Sequence, residues 1–79
     1  MVNLKEAYRI AKKTNKKLYY GVITEIREIQ DGWIFWTNDR GYGNWPVFVN
    51  KNTGKAEIFM FSDTRNVIAY NNAKVIELK

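Results

Sequence analysis

The chain has 79 residues, of which 46% are hydrophobic, and a formal net charge of +5 at pH 7. It contains no cysteine and no histidine, which excludes disulfides, thiolate nucleophiles, conventional zinc sites and imidazole bases. Residues 1–79 are short enough to form one small domain, and the excess of cationic residues favours acidic partners. We see no export signal and no run near the roughly 18 apolar residues of a membrane helix. We therefore expect a cytoplasmic protein without membrane contact.

The N-terminal segment has the pattern of an amphipathic helix. Asn3 can accept a backbone hydrogen bond as N-cap, and Glu6 stands in the reciprocal position of a capping box. The apolar residues that recur at the spacing of one helical face are Leu4, Ala7, Tyr8 and Ala11. We expect the helix to end at Thr14 and Asn15.

A hairpin is predicted next. From Leu18 the pattern has a period of two, which indicates a long strand with Ile23 and Ile26 on opposite faces. The dipeptide Asp31-Gly32 accepts positive φ angles and therefore suits a two-residue hairpin turn. The aromatic run 33–36 would form the second strand.

A second hairpin is predicted after a polar, glycine-rich loop over residues 37–44. Pro46, which has no N–H for a strand ladder, fits the start of a third strand over Val47 to Asn50. Gly54 can take the left-handed conformation at the end of the following loop, and Lys55 to Phe61 would form the fourth strand.

The C-terminal part is predicted to hold a short helix, capped by Ser62 or Asp63, and then a closing strand or tail from Lys74 to Leu78. These elements give an α+β fold, in which the N-terminal helix packs on a four-stranded antiparallel sheet, or a five-stranded one if the closing strand joins it.

Both faces of this sheet are apolar, since Trp33 and Phe35 point to one face, and Ile34 and Trp36 to the other. An antiparallel sheet with a wet face should carry polar residues there. We therefore expect the second face to be covered by the C-terminal segment, by a second subunit in a homodimer, or by a binding partner.

The sequence offers weak signals for catalysis. Glu25, Glu28 and Asp31 are close enough for paired-carboxylate chemistry, but we interpret them as solvated hairpin charges, with Glu25 sharing a strand face with Arg27. Segment 50–54 lacks the carboxylates of a calcium loop, and segment 41–43 lacks the helix of a phosphate loop. We expect no catalytic residue, no metal site and no cofactor.

Nucleic-acid binding is one functional hypothesis, because aromatic residues on a sheet can stack bases while cations neutralise phosphates. The candidate platform would consist of Trp36, Arg40, Tyr42, Trp45, Phe48 and Lys51. Against it, the main lysine cluster lies in the N-terminal helix, away from these aromatics.

Several short motifs resemble the immunity protein 35 family of bacterial toxin systems. They occur in the family's order: the aromatic step after Asp31-Gly32, then Gly43-Asn44 one residue before Pro46, then Val49-Asn50-Lys51 and Thr53-Gly54. The sequence departs from the family where Asn50 stands in place of the more common aspartate, and in its net positive charge.

The resemblance implies a non-catalytic α+β protein that binds and neutralises a cognate toxin. Trp, Tyr and Arg dominate protein interfaces, and they cluster in and beside the loop before the third strand. The predicted recognition surface consists of Trp36, Asp39, Arg40, Tyr42, Asn44 and Trp45.

Overall fold

The structure is a computed structural model that describes residues 1–18, 22–38 and 45–76. The elements are α1 (Leu4–Leu18), β1 (Ile23–Ile29), β2 (Gly32–Thr37), β3 (Val47–Asn50), β4 (Ala56–Ile58), α2 (Thr64–Asn71) and β5 (Lys74–Ile76). The strands form one antiparallel sheet in the order β4-β3-β2-β1-β5. The predicted α+β fold is confirmed, with the five-stranded form of the sheet.

Helix α1 starts as predicted and ends later. The Asn3 side chain accepts a hydrogen bond from the Glu6 backbone N–H at 2.9 Å. The predicted end at Thr14 and Asn15, with a strand beginning at Leu18, is wrong, because the helix continues to Leu18. The Thr14 hydroxyl donates to the Ile10 carbonyl at 2.9 Å, and Asn15 is buried. Packing therefore outweighs the low intrinsic helix propensity of these two residues.

The β1–β2 turn lies one residue earlier than predicted. Ile29 pairs with Gly32, so the turn residues are Gln30 and Asp31, and the prediction of an Asp31-Gly32 turn is wrong. Gly32 is a strand residue for a steric reason: a Cβ there would lie 2.1 Å from the Val49 carbonyl oxygen. Glycine is required because β3 approaches β2 so closely.

Strand β1 contains an irregularity that breaks the predicted alternation. The register with β2 shifts between Ile23 and Glu25, as in a β-bulge. As a result Ile23 and Ile26 belong to the same core, and the prediction that they lie on opposite faces is wrong. The loop predicted over residues 37–44 was placed one residue too early, since Thr37 still belongs to β2. Residues 39–44 lie outside the described part of the chain.

The β3–β4 hairpin follows the predicted turn chemistry. The Asn50 side-chain oxygen accepts hydrogen bonds from the backbone N–H groups of Asn52 and Thr53, at 2.8 and 3.1 Å. Gly54 has a φ of 72°, the left-handed conformation that was predicted. Strand β4 ends at Ile58 and not at Phe61, because residues 59–61 turn toward the second face of the sheet.

The sheet has a core on each face. On the first face α1 places Ala7 and Ala11 against β2 and β3, and both are fully buried. On the second face Ile34, Phe48 and Phe59 form a smaller core. The partly buried residues packed against that smaller core are Ile29, Phe61, Ala69 and Tyr70.

The C-terminal segment therefore covers the second face, which was one of the three predicted alternatives. Asp63 caps α2, accepting the Arg65 backbone N–H at 2.9 Å. The apolar surface that had suggested a homodimer through this face is thus covered by the chain's own C-terminal segment. In the described ranges, neither helix is long and apolar enough to cross a membrane.

Candidate protein-binding site

A cluster of aromatic side chains lies where the second face of the sheet meets α2. The Phe61 ring is at its centre, with centroids of four neighbouring rings 5.0 to 6.0 Å away. These neighbours are Trp36, Trp45, Phe59 and Tyr70, and together with Phe61 they form what we call the Phe61 cluster. Three of the four contacts are edge-on, the geometry that aromatic pairs prefer.

Two residues of the predicted recognition surface belong to this cluster. Trp36, near the end of β2, is 8% exposed, whereas Trp45, two residues before β3, is half-buried with its ring edge-on to Phe61 at 5.7 Å. The two tryptophans thus lie on either side of segment 39–44 in the sequence and meet at one aromatic side chain. The other predicted surface residues, Asp39, Arg40, Tyr42 and Asn44, lie outside the described residues.

A polar network joins β1 to α2 beside the Phe61 cluster. The Tyr70 hydroxyl donates to the Glu25 carboxylate, and Arg27 Nε donates to the same carboxylate oxygen at 3.0 Å. Arg27 also donates to the Tyr70 carbonyl at 3.1 Å, with its guanidinium carbon 4.0 Å from the centre of the Tyr70 ring. The predicted shared face of Glu25 and Arg27 is confirmed.

Glu25 and Arg27 are partly buried, so the expectation that Glu25 is a solvated hairpin charge is wrong. The side chains of Arg27 and Glu25 are only 22% and 21% exposed. A partly buried ion pair that also receives a tyrosine hydroxyl is stronger than an exposed pair, because surrounding water screens it less. Glu25 and Arg27 therefore contribute to holding α2 on the sheet.

Two of the three carboxylates that suggested acid and base chemistry, Glu25 and Glu28, are engaged by different cations. Glu28 accepts from Lys51 Nζ at 2.7 Å, and that ammonium lies 5.2 Å from the centre of the Trp33 ring. Trp33 belongs to the core beneath α1, whereas Glu25 contacts Tyr70 of α2. Two carboxylates on opposite faces of a sheet cannot act on one substrate bond.

Within the described part of the chain, two open grooves flank α2. The larger, of about 620 Å³, is lined partly by Glu28, Asp31, Lys51 and Lys74, and the smaller, of about 340 Å³, partly by Asp63. The pKa of Asp63 is lowered mainly by the hydrogen bond from the Arg65 side chain, and to a lesser extent by the hydrogen bond from the Arg65 backbone N–H. No group of three or more acidic side chains that could hold a metal occurs among the residues the structure describes.

Sequence reasoning missed the partners that assemble this site. The alternation of the sequence puts Phe59 and Phe61 on one side of the chain, but no short pattern indicates that Phe61 contacts both tryptophans. The helical spacing of Asn66, Ala69 and Tyr70 is a signal that could have identified the packed side of α2, because their side chains contact residues of the preceding segment, the second core or β1.

Comparison with known proteins gives no relatives. No family model matches this chain, and it has no significant match among curated proteins or solved structures. The resemblance to the immunity protein 35 family therefore stays a prediction from short motifs.

Proposed function

We propose that this chain is a non-catalytic protein-binding module, and that it acts as an immunity protein which binds and neutralises a cognate bacterial toxin. The observation that carries the proposal is the Phe61 cluster, in which Trp45 is half-buried and edge-on to Phe61. A large aromatic side chain that is held in place and still partly accessible is the type of residue that dominates binding energy in protein interfaces.

The framework around Trp45 favours binding over catalysis. Phe61, which is itself packed against Trp36, restricts the position of the Trp45 ring before any partner arrives, so less conformational entropy is lost on binding. Glu25 and Glu28 are engaged by cations, and the sequence supplies no histidine or cysteine. The toxin-neutralising role in particular rests on the family resemblance.

The alternative of base stacking on the sheet has less support. Trp36 and Phe48 are only 8% and 7% exposed, so bases could reach their faces only if the neighbouring rings moved aside. Base stacking requires an accessible aromatic face. Among the described aromatic residues of that platform, Trp45 is partly accessible, whereas Trp36 and Phe48 are buried.

The test uses the tagged protein to capture partners from a lysate of its own organism, at salt concentrations that remove nucleic acid. The matched variants are Trp45→Ala and Ile68→Ala, since Ile68 is an exposed apolar residue of α2 that lies outside the Phe61 cluster. We expect one protein to be retained by both the wild type and Ile68→Ala. Its binding free energy for Trp45→Ala should be weaker by more than about 1 kcal/mol.

The captured protein is then expressed alone and together with this chain in a laboratory bacterium. Growth inhibition that co-expression relieves would support the immunity role. A captured protein without toxicity would refute that role while leaving protein binding intact. Equal capture by all three forms would refute the assignment of Trp45 to the binding surface.

A further inference from the structure

Helix α1 carries the whole net charge of the molecule. It contains six of the thirteen lysine and arginine residues and one of the eight acidic residues, so its net charge is +5 and the rest of the chain is neutral. The net positive charge is therefore concentrated on the helix that covers the first face of the sheet.

The outer side of α1 is purely ionic. Between residues 4 and 15, every exposed side chain is charged: Lys5, Glu6, Arg9, Lys12 and Lys13. Lys5, Arg9 and Lys12 follow one another at spacings of four and three residues, opposite the buried alanines. At 1.5 Å per residue this row of cations is about 10 Å long.

We infer that α1 is a second binding surface, separate from the Phe61 cluster, and that it binds the phosphate backbone of nucleic acid. A phosphate backbone is a dense row of negative charges, and its affinity for cations comes from the release of condensed counterions. Such binding needs no apolar anchor. It also needs no access to bases, so it would not depend on sequence.

Other acidic partners fit this surface less well. An acidic protein would meet only charged side chains among the exposed residues of α1 between residues 4 and 15, because Leu4, Tyr8 and Ile10 pack against the first core. Apolar or aromatic anchors supply most of the affinity in protein interfaces. A membrane-surface helix must insert an apolar face into the lipid. The apolar face of α1 is packed on the sheet, where Ala7 and Ala11 have no exposed surface.

The row of cations also has a cost for the fold. Lys5 and Arg9, like Arg9 and Lys13, are like-charged pairs four residues apart, and each such pair destabilises a helix by about 0.2–0.5 kcal/mol. Neutralisation by phosphates would relieve this repulsion.

The experiment measures fluorescence anisotropy of a labelled DNA duplex of about 20 base pairs in salt from about 50 to about 200 mM. The test variant is Lys5→Gln with Lys12→Gln. The matched control is Lys55→Gln with Lys74→Gln, which removes the same charge from exposed lysines outside α1. Circular dichroism checks that both variants are folded.

With four phosphate contacts, wild-type affinity should fall about a hundredfold over this salt range, with a logarithmic slope of about −3.6. The α1 variant should reduce the magnitude of that slope by about 1.8, while the control variant should keep it. Ile68→Ala should bind the duplex like the wild type, because Ile68 lies in α2, outside the row of cations. The inference does not depend on the proposed toxin-binding surface.

Three results would overturn the inference. The first is no duplex binding at the lowest salt, and the second is an equal loss of affinity in the two double variants. The third is binding to vesicles containing phosphatidylserine through Lys5 and Lys12 without binding to the duplex, which would indicate a lipid surface.

Discussion

Replacing Tyr70 with phenylalanine tests how α2 is held on the sheet. No residue of α2 is fully buried, so its position depends on a few contacts. Tyr70→Phe keeps the ring against Phe61 and under the Arg27 guanidinium, and removes only the hydroxyl that donates to Glu25. The variant therefore isolates one hydrogen bond of the network.

The expected cost follows from the charge of the acceptor. Hydrogen bonds to charged groups contribute about 1.5–3 kcal/mol, and the lower value applies here because the Glu25 side chain is about one fifth exposed. In a domain of this size a loss of about 1.5 kcal/mol lowers the thermal midpoint by about 6 to 12 °C. If the loss falls on the docking of α2, amide exchange in that helix should accelerate about tenfold.

Differential scanning calorimetry and hydrogen exchange measure the two effects. The matched control is Tyr8→Phe, the same chemical change in a tyrosine that packs edge-on against Phe35 beneath α1. Similar midpoints for the two variants, together with unchanged exchange in α2, would show that the Tyr70 hydroxyl does not hold the helix.

Two further predictions concern the backbone and pH. Gly32→Ala should destabilise the protein by about 3 kcal/mol or more in urea unfolding, because the new methyl group would overlap the Val49 carbonyl; a loss no larger than that of Gly54→Ala would contradict this explanation. Asp63 has a lowered pKa, so its ion pair with Arg65 stabilises the fold above the ordinary value of 3.8, and the contribution is lost as the pH falls through the lower folded-state pKa. Between neutral and acidic pH, the free energy of unfolding of Asp63→Asn should therefore fall less than that of the wild type. If the two free energies of unfolding fall in parallel as the pH is lowered, this explanation is refuted.

The elements that were predictable from the sequence are fixed by local chemistry. Asn3 and Asp63 each satisfy backbone N–H groups within three residues, and Gly54 supplies a left-handed conformation that other residues rarely adopt. Each signal lies within a few consecutive residues and does not depend on the rest of the fold. The helices and hairpins were accordingly predicted in the right order.

The features that were not predictable depend on packing between distant segments. The continuation of α1 through Asn15 depends on burial against the rest of the fold, and the shift after Ile23 depends on pairing with β2. The Phe61 cluster depends on where the chain turns after Ile58. None of these has a signal within one short window of sequence.

Two of the motifs that resemble the immunity protein 35 family have structural explanations, whereas Gly43-Asn44 lies outside the described residues. Gly32 is needed for the close approach of β3, and Asn50, Thr53 and Gly54 build the β3–β4 turn. Such motifs indicate a shared backbone geometry more directly than a shared partner. The capture experiment with Trp45→Ala is therefore a more decisive test of function than the motif resemblance.

The outermost strands of the sheet are both short. β4 and β5 contain three residues each, and each carries an exposed charge, Glu57 and Lys74. Long, flat, apolar edge strands recruit strands from other molecules and lead to aggregation, whereas short charged edges discourage it. We therefore expect concentrated solutions of this protein to resist edge-to-edge polymerisation, even though nearly half of its residues are hydrophobic.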